Sequence, residues 1–142
     1  LSQKADIENS ITQYLQEQAD VVFVYLFGSF IERESYRDID VAIYFQPDIE
    51  LLRQGALIAG LEIETKVDID LIRLNNLYKK QPAFAYEILK KGRVIINKNQ
   101  EIHHHYKSKT LRYYLDTNYL RKMMDEAFEE RMKPNRFGES TL

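Results

Sequence analysis

Residues 21–45 read VVFVYLFGSFIERESYRDIDVAIYF, and this segment carries the strongest structural signals of the chain. Residues 21–27 are continuously apolar and rich in strand-forming residues, which predicts a buried central strand ending at Gly28-Ser29. After a polar turn or short helical turn, residues 39–45 alternate in the manner of a second strand. The two predicted strands therefore flank a short polar connection that begins with Gly-Ser and ends with Asp-Ile-Asp.

The aspartates of this segment indicate a cation site. Asp38 and Asp40 are two positions apart at the start of a strand, so their side chains project from the same face. A third predicted strand, residues 67–74, carries Asp68 and Asp70 at the same spacing. If the two strands are neighbours, at least three carboxylates converge. Two like charges about 4 Å apart repel by roughly 4 kcal/mol at an effective dielectric near 20, and a divalent cation offsets that cost.

Gly28-Ser29 is compatible with the same chemistry. Glycine allows a tight turn and a close approach of the backbone to a phosphate, and the serine hydroxyl can hold a phosphate oxygen. Neither a Gly-Ser pair nor an Asp-x-Asp motif is specific by itself. Their combination across three predicted strands predicts metal-dependent phosphate chemistry, because Mg²⁺ commonly shares its oxygen ligands between carboxylates and substrate phosphates.

The rest of the chain alternates between helical and strand patterns. Apolar residues at a 3.6-residue period predict helices on both sides of the central segment, and Pro82 and Gly92 bound one of them. The predicted fold is α/β (α+β), a mixed sheet of about four strands flanked by helices, with a long C-terminal helix. The additional elements are helices at 3–18, 48–62, 82–91 and 107–132, and a strand at 93–97.

Composition limits the classes of protein to consider. The chain has 142 residues, enough for one core, and no cysteine, which excludes disulfides and thiolate metal sites and favours a reducing cytoplasm. No apolar run is long enough to span a bilayer, so no membrane association is expected. Residues 1–78 carry 14 acidic against 6 basic side chains, and residues 79–142 carry 8 against 14. The acidic first half is a poor surface for nucleic acid, and no direct nucleic-acid binding is expected.

The motif residues resemble a known family. Gly28 to Glu34, followed by Asp38 to Ile43, is similar to the signature of the polymerase β-like nucleotidyltransferase superfamily. Within it, the chain most resembles the minimal nucleotidyltransferases, the MntA-type antitoxins that pair with a HEPN-domain toxin (HepT). The resemblance extends over roughly residues 5–100. The spacer between Ser29 and Asp38 has eight residues, whereas the family more often has about ten.

The resemblance implies a function and a set of site residues. It implies a protein adenylyltransferase that moves AMP from ATP to a tyrosine of a HEPN RNase toxin in the prokaryotic cytoplasm. Two Mg²⁺ ions are the expected cofactors, and the toxin and ATP are the expected partners. The implied nucleotide-binding residues are Gly28, Ser29 and Arg33, and the implied metal-binding and catalytic residues are Asp38, Asp40 and Asp70.

The third aspartate has an alternative. Residues 69–75, Ile-Asp-Leu-Ile-Arg-Leu-Asn, match the family pattern better than a frame starting at Val67, which favours Asp70. Asp68 lies on the same predicted strand face and remains the alternative. Arg33 and Arg37 are both in the short spacer, where a phosphate contact and a solvated loop arginine are open interpretations.

Two other functions compete with this one. The first is an antitoxin that acts mainly by binding the toxin, with residues 107–132 as the contact surface or, equally, packed on the chain's own sheet. The second is a nucleotidyltransferase with a small-molecule or RNA acceptor.

We expect a nucleotidyltransferase domain at 1–100 and a helical extension at 101–142 that packs on it or on a partner. Three adjacent histidines, His103-His104-His105, could bind a transition metal, but adjacent positions diverge in direction and make a poor set of ligands, so we interpret them as a polar linker.

Overall fold

The centre of the molecule is a mixed four-stranded sheet. A computed structural model describes residues 3–132, in which β1 (Val21–Phe27), β2 (Asp38–Phe45), β3 (Asp68–Arg73) and β4 (Arg93–Asn97) pair in the order β3-β2-β1-β4. β1 is antiparallel to β2 and β4, whereas β2 and β3 are parallel. The predicted mixed sheet of about four strands is therefore confirmed.

Helices cover both faces of this sheet. One face packs against α1 and α3 through Ile11, Leu15, Leu57 and Leu61, all fully buried. The other face packs against α5 and α6, with Ile88 and Tyr106 among its buried residues. α3 connects the parallel strands β2 and β3, as such a pair requires. The helices are α1 (Gln3–Gln16), α2 (Ser29–Glu32), α3 (Leu51–Thr65), α4 (Leu77–Lys80), α5 (Pro82–Lys91) and α6 (Gln100–Met132).

Elements with strong local signals agree with the sequence prediction. α5 and β4 have the predicted bounds, 82–91 and 93–97, and β1 matches 21–27. β2 begins at Asp38, one residue earlier than predicted, and β3 lies within the predicted 67–74. α1 ends at Gln16 instead of residue 18, and the short helix α4 was not predicted. The remainder of the predicted extension, residues 133–142, lies outside the described residues.

The predicted helix at 48–62 is wrong by three residues at each end. α3 begins at Leu51 because the carboxylate of Asp48 accepts a hydrogen bond from the backbone N–H of Ile49, which favours a turn there. Leu51 and Leu52, predicted on the apolar face, are 83% and 89% exposed. Leu57 and Leu61 of the same prediction are in the core. The apolar pattern was therefore correct only from the second turn onward.

The prediction that His103-His104-His105 is a polar linker is also wrong. α6 begins at Gln100, seven residues before the predicted start, because the Asn99 side chain accepts a hydrogen bond from the N–H of Ile102 and caps the first turn. This places all three histidines on the helix. His103 points into the protein and is 6% exposed, whereas His104 and His105 are exposed.

Both ring nitrogens of His103 have protein partners. Asn97 Nδ2 lies 3.1 Å from Nδ1 and Tyr25 Oη lies 2.8 Å from Nε2. Because an amide nitrogen only donates, Nδ1 accepts and Nε2 carries the proton that is donated to Tyr25. Burial, followed by the nearby charges of Lys107 and His104, lowers the pKa of His103. The neutral imidazole therefore stabilises the junction of β1, β4 and α6.

We predict an acid-dependent loss of stability that depends on His103. Because the folded-state pKa of His103 is below the unfolded value of 6.5, the unfolded chain binds a proton at this residue at a higher pH than the folded chain does. As the pH falls from 6.5 toward the folded-state pKa, the free energy of unfolding therefore decreases by at most about 1.4 kcal/mol per pH unit. Urea denaturation at pH 7.5, 6.5 and 5.5 should show a steeper loss for the wild type than for His103→Gln. The variant of a histidine that is exposed and does not shift the pKa of His103, His105→Gln, is the control and should keep the wild-type slope. Equal slopes for His103→Gln and the wild type would contradict this account.

Candidate active site

Parallel pairing brings the predicted aspartates together. In the register of β2 and β3, Asp38 pairs with Asp68 and Asp40 pairs with Asp70. Paired residues of adjacent strands project from the same face and lie about 4.8 Å apart along the sheet. The four carboxylates therefore form one patch at the amino ends of two parallel strands, on the face that α5 and α6 cover farther along the sheet.

Asp40 is the electrostatic centre of this patch. Its pKa is raised to about 6, first by burial, then by the charges of Asp70 and Asp38 and by a hydrogen bond with Asp70. Asp68 is not among the groups that shift it. The structure thus couples Asp40 to Asp38 and Asp70, the combination that the sequence analysis preferred over one with Asp68.

Hydrogen bonds between side chains and the backbone hold β3 and its neighbour β2 in place. Glu62 Oε2 of α3 accepts the N–H of Ile69 at 2.9 Å, between the two aspartates of β3. At the other end of the strand pair, the Asn75 side chain donates to the carbonyl of Phe45 at 2.7 Å and accepts its N–H at 3.0 Å. These bonds fix the register on which the convergence of the carboxylates depends.

Gly28 lies directly against Asp40. Its φ of 77° is in the region that side chains rarely adopt, and a Cβ added there would be 2.1 Å from Asp40 Oδ2. The chain then turns into α2, where the N–H groups of Ile31 and Glu32 bond to the Gly28 carbonyl. A residue without a side chain is therefore required where β1 ends, next to the partly buried Asp40 carboxylate.

The loop after Gly28 encloses a cavity of about 410 Å³. Ser29, Arg33 and Asp38, all predicted site residues, line it together, and Arg37 joins them. Lys4 of α1 holds this loop, because its Nζ donates to the carbonyl of Phe30 at 2.7 Å and to that of Arg33. Sequence reasoning missed Lys4, since nothing local links a residue of α1 to the loop. The lining residues are Ser29, Arg33, Ser35, Tyr36, Arg37 and Asp38.

The aspartates suit a site in which the cation also binds water and substrate, rather than one in which protein side chains supply every ligand. Among residues 3–132, no three His, Cys, Asp or Glu side chains are arranged to hold a metal ion by themselves. Mg²⁺, however, commonly takes one or two carboxylates and completes its octahedron with water and substrate phosphates. Asp38, Asp40 and Asp70 offer hard oxygen donors of this kind, and the coupling between Asp40 and Asp70 marks where positive charge is favoured.

A larger cavity lies away from this patch. It has a volume of about 540 Å³ and is at the carboxyl ends of β2 and β3, against α4 and α6. None of the predicted site residues lines it, so the chemistry places the candidate active site at the aspartates instead. Its lining residues are Tyr44, Gln46, Asp48, Asn75, Asn76, Tyr78, Glu101, Ile102, His105, Tyr106 and Lys109.

Comparison with known families identifies this arrangement. A family described as "Polymerase beta, Nucleotidyltransferase" matches residues 9–101, which include every predicted site residue. The chain belongs to the polymerase beta nucleotidyltransferase family. The resemblance of the Gly-Ser and Asp-x-Asp motifs to that superfamily is therefore confirmed, and the enzyme class of this nucleotidyltransferase follows from the family.

Solved structures share the fold of this nucleotidyltransferase. A structure of the MntA–HepT toxin–antitoxin pair is 19% identical, with 88% of this chain and 98% of that chain covered and a TM-score of 0.66. A toxin–antitoxin structure with AMP-PNP is 21% identical, with 86% and 98% covered and a TM-score of 0.69. A complex of tri-AMPylated Shewanella oneidensis HEPN toxin with MNT antitoxin is 20% identical, with 89% and 98% covered and a TM-score of 0.67. No curated protein matches the sequence.

We predict that Asp40→Asn stabilises the nucleotidyltransferase in the absence of divalent cations. The folded-state pKa of about 6 exceeds that of the unfolded chain, so stability is lost as the pH rises through 6, and the uncharged amide avoids this loss. After a discount for solvent screening, the gain is roughly 1 kcal/mol at pH 7.5, and it shrinks toward pH 4. Urea denaturation in EDTA measures it, with Asp68→Asn as the control. Destabilisation at pH 7.5 would contradict the account.

We also predict opposite effects for two glycine-to-alanine changes. Gly28→Ala should destabilise the fold by about 1–3 kcal/mol, because Ala resists the positive φ and its Cβ displaces the Asp40 carboxylate. Gly55→Ala, within α3 and with open space around its Cβ position, should stabilise by about 0.5–1 kcal/mol. Urea denaturation compares the two variants. A Gly28→Ala protein as stable as the wild type would show that the close approach to Asp40 is not required.

Proposed function

We propose that the protein is a Mg²⁺-dependent antitoxin that transfers AMP from ATP to a tyrosine of a cognate HEPN RNase toxin. The observation that carries the proposal is the coupled group Asp38, Asp40 and Asp70, next to the Gly28-Ser29 turn. Membership of the nucleotidyltransferase family supports the reaction class. The protein substrate is supported by the shared fold with the MNT antitoxin of a complex that contains tri-AMPylated HEPN toxin.

Binding of the nucleotide is assigned to the cavity beside α2. Gly28 and Ser29 would hold triphosphate oxygens, and Arg33, which lines the same cavity, would neutralise part of their charge. ATP as the donor is supported by the AMP-PNP bound in a structure of the same fold. Two Mg²⁺ ions held by Asp38, Asp40 and Asp70 would supply positive charge to the triphosphate and to the oxygens that attack and leave.

The reaction is a displacement at the α-phosphorus of ATP. The acceptor oxygen forms a bond to that phosphorus, the bond to the bridging oxygen of the β-phosphate breaks, and pyrophosphate leaves with the electron pair. Asp70 accepts the proton of the acceptor hydroxyl and passes it to solvent. A tyrosine hydroxyl has an unperturbed pKa near 10, so an adjacent carboxylate that takes its proton favours attack at neutral pH.

The proposed partner is supported by the shared fold and by the exposed surface of α6. The pairs named above are toxin–antitoxin complexes, which supports a cognate HEPN toxin and a prokaryotic cytoplasmic setting. None of the helices among residues 3–132 is long and apolar enough to cross a membrane. We propose residues 1–100 as the catalytic domain and residues 101–142 as an extension. We further propose that nucleic acid is not bound directly.

A steric antitoxin is the second candidate function, and the exposure of α6 favours it. Large apolar side chains of α6 within residues 107–132, the predicted contact surface, are not buried against the chain's own sheet. Leu115 is 54% exposed, Met123 48% and Phe128 60%. Such apolar and Met side chains are typical of protein interfaces. The same surface would serve an enzyme that must hold its protein substrate, so binding and catalysis are separable by experiment.

We predict that Asp70→Asn abolishes transfer and that Asp68→Asn does not. The two residues are on the same strand and the same face, but only Asp70 is coupled to Asp40. The assay contains ³²P-labelled ATP, Mg²⁺ and the cognate toxin. Relative to the wild type, Asp70→Asn should reduce labelling of the toxin at least about 100-fold, as expected for loss of a general base. EDTA should abolish labelling by the wild type.

Other outcomes separate the alternatives. If Asp68→Asn loses activity and Asp70→Asn retains it, Asp68 is the third catalytic carboxylate. If the wild type binds the toxin but never labels it, the antitoxin acts sterically. If it neither binds nor labels the toxin, a small-molecule or RNA acceptor replaces the proposed one. Size-exclusion chromatography of each mixture provides the binding measurement.

A further inference from the structure

Two half-buried phenylalanines border the aspartates. Phe27 is the last residue of β1, and the ring of Phe84 from α5 packs edge-on against it, with the ring centroids 6.0 Å apart and an interplanar angle of 71°. Other phenylalanines of the sheet and its surroundings are almost fully buried: Phe23 is 0% exposed, Phe45 1% and Phe30 2%. Phe27 and Phe84 are packed at the edge of the second core and are only partly buried, beside the charged aspartates.

Strand register places this pair next to the reacting groups. Phe27 pairs with Asp40 across the antiparallel β1 and β2, and Asp40 pairs with Asp70 across the parallel β2 and β3. Directly opposite residues share a face, so the three side chains form a row over adjacent strands. A ring that rests on Phe27 and extends by about one strand spacing, ~4.8 Å, brings a para oxygen to the Asp40 carboxyl, and Asp70 lies one further spacing along the same row.

The side of the patch distinguishes the acceptor from the nucleotide. The proposed triphosphate cavity is lined by Ser29, Arg33 and Tyr36, and Tyr36 packs with the core on the α1 side of the sheet. Phe27 and Phe84 pack with the opposite core, on the α5 side. In an in-line displacement the attacking oxygen enters opposite the leaving pyrophosphate. With the triphosphate in the proposed cavity, the aromatic pair would lie on the side that remains open to the acceptor.

We propose that Phe27 and Phe84 form a platform for the aromatic ring of the acceptor and thereby select a phenol over an aliphatic hydroxyl. A third ring completes an edge-to-face cluster, an arrangement that aromatic side chains favour. Serine and threonine offer a hydroxyl without a ring and leave the platform exposed. The proposal rests on the proposed transfer reaction and adds to it the reason for tyrosine.

The test compares two acceptors and three variants. N-acetyl-tyrosinamide and N-acetyl-serinamide are incubated at matched concentrations with Mg²⁺, ³²P-labelled ATP and wild type, Phe84→Ala, Phe84→Tyr or Tyr86→Ala protein. Tyr86, also on α5, instead stacks on Tyr114 and serves as the matched control. We expect the wild type to label the tyrosine compound at least 10-fold faster than the serine compound. Phe84→Ala should raise the KM for the tyrosine compound about 10-fold with the KM for ATP unchanged, and Phe84→Tyr should restore it.

Each contrary result has a defined meaning. If the wild type labels both compounds equally, transfer stands and the platform is overturned. If Phe84→Ala raises the KM for ATP instead, the rings bind the nucleotide base, and the acceptor assignment is overturned. If Tyr86→Ala has the same effect as Phe84→Ala, the effect is a general one of α5 and the platform is overturned. If the wild type labels neither compound nor the toxin, the proposed function fails and the platform fails with it.

Discussion

The parallel hydrogen-bonded pairing of β2 with β3 is the constraint on which the candidate active site depends. It places Asp40 beside Asp70, and it requires α3 as a crossover, which in turn packs with α1 to cover one face of the sheet. A slip of one residue would send the two aspartates of β3 to the opposite, apolar core. The hydrogen bond from Ile69 to Glu62 opposes such a slip.

The site is costly for the protein without a ligand, and the rest of the fold tolerates that cost. Asp40 is partly buried near two other carboxylates, and its raised pKa expresses the repulsion among them. Gly28 adds a positive φ at the same point. Like charges collected at one place are characteristic of functional sites, where a bound cation relieves their repulsion. Here the relief would come from cations and a nucleotide on one side and an acceptor on the other.

α6 has two different halves. Its first half packs against α4 and α5 and inserts His103 and Tyr106 into the second core, where Tyr106 donates to the Leu74 carbonyl at 2.6 Å. Farther along, its apolar residues become exposed, among them Leu120 and Phe128. One helix thus completes the second core of the sheet with its first half and carries exposed apolar side chains on its second half. This arrangement explains why a stripe of apolar residues was equally compatible with core packing and with an interface.

The sequence by itself determined the elements with local signals. The apolar run of β1, the alternation of β2, and α5 between its proline and glycine were predicted closely, because each signal lies within the element it specifies. The tertiary structure alone decided what depends on register and on distant partners: the coupling of Asp40 to Asp70 rather than Asp68, the burial of His103 and the pairing of Phe27 with Phe84. These relations join residues far apart in the chain, and only the folded sheet brings them into contact.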